Sequence, residues 1–303
     1  MKRLPKPVRK LLPILLVSAT AGLFIYLFAT HPQYRQTLLH TNFWILALII
    51  LLYAVMIGLT NWMYDVTLRM CGHHLPAREN ILLTCYTSIV NFFGPLQGGL
   101  GVRAAYLKQK LGLRLRDYTL ATFVYYAMYA VINALFILVG SGKHWPIALL
   151  LFILVTFGCG AILYITRKRV LRSGESAFRM TPALLGELFL ATFCQVAALS
   201  LIYWVELRAV HTGASILQGM VYGGAANFAL FVALTPGAIG FREAFLAFSR
   251  ELHHIPTSGI LAASVIDRSV YVVFLGLLFL LIVTLHVGDR FKRASEAAAS
   301  EQK

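Results

Sequence analysis

Negative charge is what this 303-residue chain has least of: 12 Asp and Glu stand against 27 Lys and Arg. The few carboxylates form no DxxD-type metal cluster and no His–Asp pair, and no obvious nucleophile accompanies them. Charged residues of both signs reach only 13%, against 59% apolar, which excludes an ordinary soluble domain. Cysteine is scarce as well. Cys71, Cys85, Cys159 and Cys194 show no CxxC spacing, so no disulfide or thiolate metal site is expected, and they read as small packing residues. His73–His74 and His253–His254 lack neighbouring ligands at metal spacing and read as interfacial histidines. No cofactor is expected.

What is there is long apolar runs. Six are long enough to cross a bilayer, at about 11–29, 43–63, 118–140, 146–166, 183–205 and 259–287. The opening run follows a basic start but ends without a small-x-small cleavage site, so it is expected to be an uncleaved first helix. The excess positive charge lies between the apolar runs, with Lys2, Arg3, Lys6, Arg9 and Lys10 before the first. Arg167, Lys168, Arg169, Arg172 and Arg179 share one linker. That placement fits cytoplasmic loops and anionic lipid, and it excludes a nucleic-acid surface, which interleaves basic and aromatic residues.

Two further apolar segments, about 80–97 and 215–235, end in Pro and Gly. If both dip in and return, with the N-terminus cytoplasmic, 21 of the 27 Lys and Arg fall on or near the cytoplasmic side; if both cross, the split is 13 to 14. The positive-inside rule therefore favours re-entry. The expected fold class is an all-α integral membrane protein of about six spanning helices plus two re-entrant broken helices in an inverted-topology repeat. Residues 1–287 form one transmembrane domain, with repeat A at about 43–140 and repeat B at about 183–285, and 288–303 form a polar cytoplasmic tail.

The repeat shows in the residues. Shifting the chain by 139 positions aligns Gly98, Gly101, Arg103, Ala105 and Leu107 with Gly237, Gly240, Arg242, Ala244 and Leu246. The same shift pairs Tyr64 with Tyr203, Leu68 with Leu207 and Arg69 with Arg208. Pro95 and Pro236 break the apolar segments, because proline removes a backbone donor and disfavours helix before it. The glycines that follow (Gly98, Gly99 and Gly101; Gly237 and Gly240) allow close backbone approach. A new helix is expected near Gly101 or Gly240, with free amides and a positive dipole end that suit an anion. Arg103 and Arg242 fall in its first turn and supply bidentate contact to a phosphate. Asn91 and Asn227, within the re-entrant arms, are expected to bond carbonyls freed at the break.

Asp267 and Arg268 sit about eight residues into the last spanning run, where a charge costs roughly 2.5–3.5 kcal/mol and needs a partner. Arg242 and Glu243 are the expected partners, the set serving headgroup or proton binding or pinning the re-entrant loop. Asp65 and Glu206, at helix ends, require no function. The aromatics from Phe123 to Tyr129 read as packing and hydrogen-bonding groups.

With "GGLGVRAAYLKQKLG" and "PGAIGFREAF…IDRSVYVVF" both in view, the chain resembles the lysylphosphatidylglycerol synthase transmembrane-region family over about residues 10–287. The markers are Gly98, Gly99, Gly101 and Arg103, then Pro236, Gly237, Gly240 and Glu243, and Arg268. The resemblance implies an inner-membrane protein with two re-entrant elements that translocates a phospholipid or lipid-linked headgroup. It departs from the family at Arg242, where an apolar residue is common, and no soluble aminoacyltransferase domain is expected after the last helix. The leading expectation is a flippase-like transporter, not an enzyme, with Arg103, Arg242, Glu243, Asp267, Arg268 and the motif glycines at the substrate. The alternatives are a non-transporting partner subunit of an envelope enzyme, or an intramembrane transferase using Glu243 or Asp267 as general base. Expected partners are an anionic phospholipid headgroup and either a second copy of the chain or a separately encoded envelope enzyme.

Overall fold

The computed structural model describes residues 36, 39, 41–93, 98–172, 177–231 and 241–301. Among these are ten α-helices and no strand. They are α1 (Phe43–Met70), α2 (Ala77–Phe93), α3 (Gly99–Leu111), α4 (Leu115–Gly140), α5 (Trp145–Arg172), α6 (Pro182–Ala209), α7 (Ile216–Phe231), α8 (Phe241–Phe248), α9 (Arg250–His253) and α10 (Thr257–Glu301).

Local chemistry sets the boundaries. The Asn42 side chain accepts the Trp44 amide at 2.9 Å and starts α1. Thr181 caps α6 through the Leu184 amide at 3.3 Å, with Pro182 in the first turn, where a missing N–H costs nothing. Gly112, at φ +67°, ends α3 in the left-handed conformation.

Five helices are long and apolar enough to cross a membrane: Phe43–Met70, Leu115–Gly140, Gly142–Lys168 (with its leading 3-10 turn), Pro182–Ala209 and Thr257–Thr284. They match five of the six expected runs; the run at 11–29 lies outside the described residues. Their outer faces are apolar and open, as with Leu150, Leu154 and Phe157 on α5 and Phe279 and Leu280 on α10. A surface this greasy is stable only against lipid. The protein is a multi-pass membrane protein.

The antiparallel helices α1 and α6 form the centre, with α4, α7 and α10 around them; α5 packs chiefly on α4. At one end of the centre the last turn of α1 meets the first of α6. There Arg69 bonds Glu187 at 2.5 Å and Asp65 at 2.9 Å, and the Trp62 indole donates to Glu187 at 2.8 Å. The Arg179 amide reaches the Met70 carbonyl at 2.7 Å, and Asp117 at the start of α4 accepts the Ala177 amide. At the other end the Trp204 indole donates to the Ala214 carbonyl at 3.1 Å, joining α6 to the approach to α7.

Helices α2 and α7, of 17 and 16 residues, are about 24–26 Å long, short of the roughly 30 Å apolar thickness of a bilayer. Each is followed by helix that runs back along it. In the first hairpin Gly99, Arg103 and Lys110 of α3 bond Asn91, Asn80 and Glu79 of α2 in that order. In the second, Leu246 of α8 packs in one cluster with Ala225 and Ala226 of α7. At its foot the Gln218 amide donates to the His253 carbonyl at 3.2 Å. The first hairpin has its foot where α1 ends, the second where α6 ends.

Two expectations need correction. Helix α3 begins at Gly99, so Arg103 lies in its second turn rather than its first. His253 is not interfacial but fully buried: its Nε2 donates to the Leu246 carbonyl at 3.0 Å and its Nδ1 accepts the Ile255 amide at 3.1 Å. Cys71 and Cys85 pack in the core.

Candidate functional site

Arg103 is wholly buried at the meeting of α1, α2 and α3. Its guanidinium carbon lies 4.1 Å from the centre of the Tyr64 ring, and its Nη2 donates to Asn80 Oδ1. Asn80 is held in turn, its own amide donating to the Asn61 carbonyl at 3.2 Å. Nε and Nη1 of Arg103 meet no hydrogen-bond acceptor among the described residues, and no carboxylate stands within ion-pair distance there. The buried Tyr118 hydroxyl lies nearby, with Thr122 beside it. Removing a guanidinium from water costs several kcal/mol. A neutral amide and an aromatic face return part of that, the latter about 2 kcal/mol when desolvated. The site therefore retains an unmet demand for negative charge.

The glycines around it differ. A Cβ on Gly99 would stand 2.3 Å from the Thr87 carbonyl oxygen and 2.5 Å from Asn91 Oδ1, so only glycine lets α3 close on α2. Gly101 faces open space, and Gly98 is an ordinary right-handed residue. Asn91 does not bond a freed carbonyl as expected; it accepts the Gly99 amide at 2.9 Å, because the new helix exposes donors at its start. Asn227 likewise turns elsewhere, donating to Asn133 of α4 at 2.7 Å, while Asn133 donates to the Tyr129 carbonyl. Pro95, Pro236, Gly237 and Gly240 lie outside the described residues.

In the second half Arg242 repeats the first arrangement with a different ending. Its guanidinium carbon lies 5.6 Å from the centre of the Tyr203 ring, the partner found at the same 139-residue shift. Here a carboxylate is supplied from within: Arg242 Nη1 meets Asp267 Oδ2 at 2.6 Å. Weaker contacts run to the Tyr203 hydroxyl at 3.3 Å, Ser264 Oγ at 3.4 Å and Glu243 Oε1 at 3.5 Å. Arg268 lies 3.7 Å from Glu243 and 3.8 Å from Asp267. The expected ion partners thus come together.

The sequence reading missed three members of this group. Tyr53 of α1 donates to Asp267 Oδ1 at 2.5 Å. Ser264 lies one turn before Asp267 on α10. Glu206, read as an idle helix-end residue, is 1% exposed and within hydrogen-bonding reach of Asp267. Its spacing of three from Tyr203 puts both on one face of α6, which is the signal that reveals it.

The two arginine sites are joined through tyrosines of α4. Tyr129 lies within electrostatic reach of Tyr203, and its ring is 5.8 Å from that of Tyr125, which stands 5.0 Å from Tyr126. Tyr126 in turn lies within electrostatic reach of Tyr64 and Tyr118 beside Arg103. The Tyr125 hydroxyl donates to Gln195 of α6 at 3.0 Å, and Gln195 reaches Thr60 of α1.

The sequence profile of the lysylphosphatidylglycerol synthase TM region matches residues 11–278. The chain belongs to this family. No curated protein matches it. The match to the lysylphosphatidylglycerol synthase TM region begins at the first expected span and takes in both hairpins, so both arginine sites fall within the family's own domain.

Proposed function

We propose that this protein moves an anionic phospholipid, or a lipid-linked anionic headgroup, across the bacterial inner membrane. In this reading it carries out no catalysis. Both termini lie in the cytoplasm, and the two halves form an inverted-topology repeat whose hairpins enter from opposite faces. Three features support that topology: the 139-residue shift, the recurrence of the arginine–tyrosine stack at that shift, and hairpin feet that stand at opposite ends of α1 and α6.

The observation that carries the transport reading is the state of Arg103. A buried guanidinium with two donors and no ion-paired carboxylate among the described residues is matched by an incoming phosphate, which accepts both bonds and cancels the charge. Arg242 has that need met by Asp267 and is not an open anion clamp in this state. The headgroup is therefore expected first at Arg103, entering from the foot of the α2–α3 hairpin.

The test is translocation of fluorescent phosphatidylglycerol in phosphatidylcholine proteoliposomes. Wild-type protein is expected to accelerate exchange between leaflets and Arg103→Ala to abolish the acceleration. Equal rates for the two would refute the reading.

A further inference from the structure

Glu206 and Asp267 sit side by side, buried, with an incomplete set of donors. Asp267 accepts from Tyr53 at 2.5 Å and from Arg242 at 2.6 Å, which gives it the two strong donors an ionised carboxylate needs. Glu206 has no cation within ion-pair distance, and its Oε1 meets no donor among the described residues. Yet Glu206 lies within hydrogen-bonding reach of Asp267. Two carboxylates that close repel unless something positive lies between them, and a shared proton is the smallest such object. The charge balance gives the same answer. Of the described residues, Arg242 and Arg268 face three carboxyls, those of Asp267, Glu243 and Glu206, and one proton balances those five groups. A metal cation is disfavoured by the two guanidiniums beside the pair.

We propose that Glu206 is a proton-binding site, holding a proton that it donates to Asp267, and that this proton is carried in step with the anionic headgroup. The first half of the statement rests on the burial of Glu206 and its unpartnered Oε1, with Asp267 beside it; the second rests on the transport reading. With Glu206 protonated, Asp267 balances Arg242 and Glu243 balances Arg268. When the proton leaves, the cluster holds one net negative charge in a low-dielectric setting, which opposes the approach of an anion along the tyrosines from Arg103. Proton and anion thus favour each other's presence, and the coupling is reciprocal.

The groups that face Glu206 come from every element around it. They are Tyr53 from α1, Tyr203 on its own helix, Tyr222 from α7, Arg242 from α8, and Asp267 and Arg268 from α10. Glu243 and Tyr271 touch the cluster through Arg268 and Asp267, and the buried His253 ring packs on Tyr222. The hydroxyls stay protonated throughout the working range, the guanidiniums stay charged, and His253 is already engaged at both ring nitrogens.

Infrared spectroscopy of the purified full-length protein at neutral pH reads the first half directly, through the carbonyl stretch of a protonated carboxylic acid. Wild-type protein and Glu187→Gln are expected to show that band, Glu206→Gln to lack it, and Glu206→Asp to move it. Glu206→Asp keeps the test decisive if the glutamine variant does not fold. No acid band in wild-type protein, or a band unchanged in Glu206→Asp, would overturn the site. The second half is read in phosphatidylcholine proteoliposomes carrying fluorescent phosphatidylglycerol. A pH gradient is expected to drive the labelled lipid several-fold faster and a sodium gradient to leave it unchanged, with the pH response lost in Glu206→Gln. Translocation indifferent to the pH gradient overturns the coupling while the acid band keeps the site. An acid band in a protein that moves no lipid keeps the proton site and removes the transport reading.

Discussion

The guanidinium of Arg103 lies over the ring of Tyr64 at 4.1 Å with no carboxylate beside it, while its counterpart Arg242 over Tyr203 is held by Asp267 at 2.6 Å. The same stack thus occurs twice, with a carboxylate partner in one case only. Truncation should separate the two. Arg103→Ala removes a buried charge that no carboxylate among the described residues pairs within ion-pair distance, so the fold is expected to survive with thermal stability unchanged or raised, while anion binding is lost. Two orphaned donors in charge-assisted bonds at about 1.5–3 kcal/mol each put the loss of affinity at about a hundredfold or more. Titration with a short-chain phosphatidylglycerol, beside a melting curve in detergent, measures both.

Arg242→Ala should behave in the opposite way. It leaves Asp267 buried beside Glu206 with only the more distant Arg268, at 3.8 Å, as cation, a loss of up to about 3–5 kcal/mol for a broken buried pair. Adding Asp267→Asn to Arg242→Ala should recover most of that loss, since the unpaired charge is then gone. Melting of the single and double variants decides it, and a double variant no more stable than the single would contradict the ion-pair account.

The two motif glycines give a second contrast. Gly99→Ala drives a methyl into the Thr87 carbonyl and the Asn91 side chain, and neither can retreat without opening the α2–α3 hairpin. The expected cost is about 1–3 kcal/mol, as for other overpacked sites. Gly101→Ala meets open space, and in a helix interior alanine is favoured by about 0.5–1 kcal/mol. If Gly101→Ala is stable but moves no lipid, that open space belongs to the headgroup.

Much of this was legible in the sequence, and for identifiable reasons. The five described spanning helices follow from apolar runs that no other environment tolerates, and the ion partners of Asp267 and Arg268 follow from the cost of a charge at depth. The 139-residue shift picked out both stacked tyrosines before their role was visible. Glu206 was hidden because a carboxylate near a helix end has a cheap explanation in water. Only the packing of α1, α8 and α10 around that turn of α6 removes the water. Asn91 and Asn227 were placed on the correct arms and given the wrong partners, since an amide side chain bonds equally well to a donor or an acceptor.

Opposed entry of the two hairpins is testable from their feet. Lys110, paired with Glu79 by a 2.5 Å contact, and Arg250 are both exposed and lie outside the packed core. In a background with the half-buried Cys159 and Cys194 removed, Lys110→Cys is expected to react only with a reagent supplied from the cytoplasm. Arg250→Cys should react from outside the cell. Labelling of both from one side would contradict an inverted arrangement while leaving each hairpin intact.

The foot of the second hairpin should also respond to acid. His253 closes the turn after α9 by donating from Nε2 and accepting at Nδ1, a pattern only the neutral ring can supply. Burial holds its pKa below the ordinary 6.5, opposed in part by the bond to the Leu246 carbonyl and aided by the nearby His254 and Arg250. Below the ordinary value the unfolded chain takes up a proton that the folded ring refuses. Stability therefore falls as pH drops through that window, and the contribution is complete above it. The melting temperature of wild-type protein is expected to fall between neutral pH and about pH 5. His253→Gln should start lower at neutral pH but lose less over the same interval, because the titrating ring is gone. Parallel slopes for the two proteins would mean that another group sets the acid response, and His253 would then be a packing residue alone.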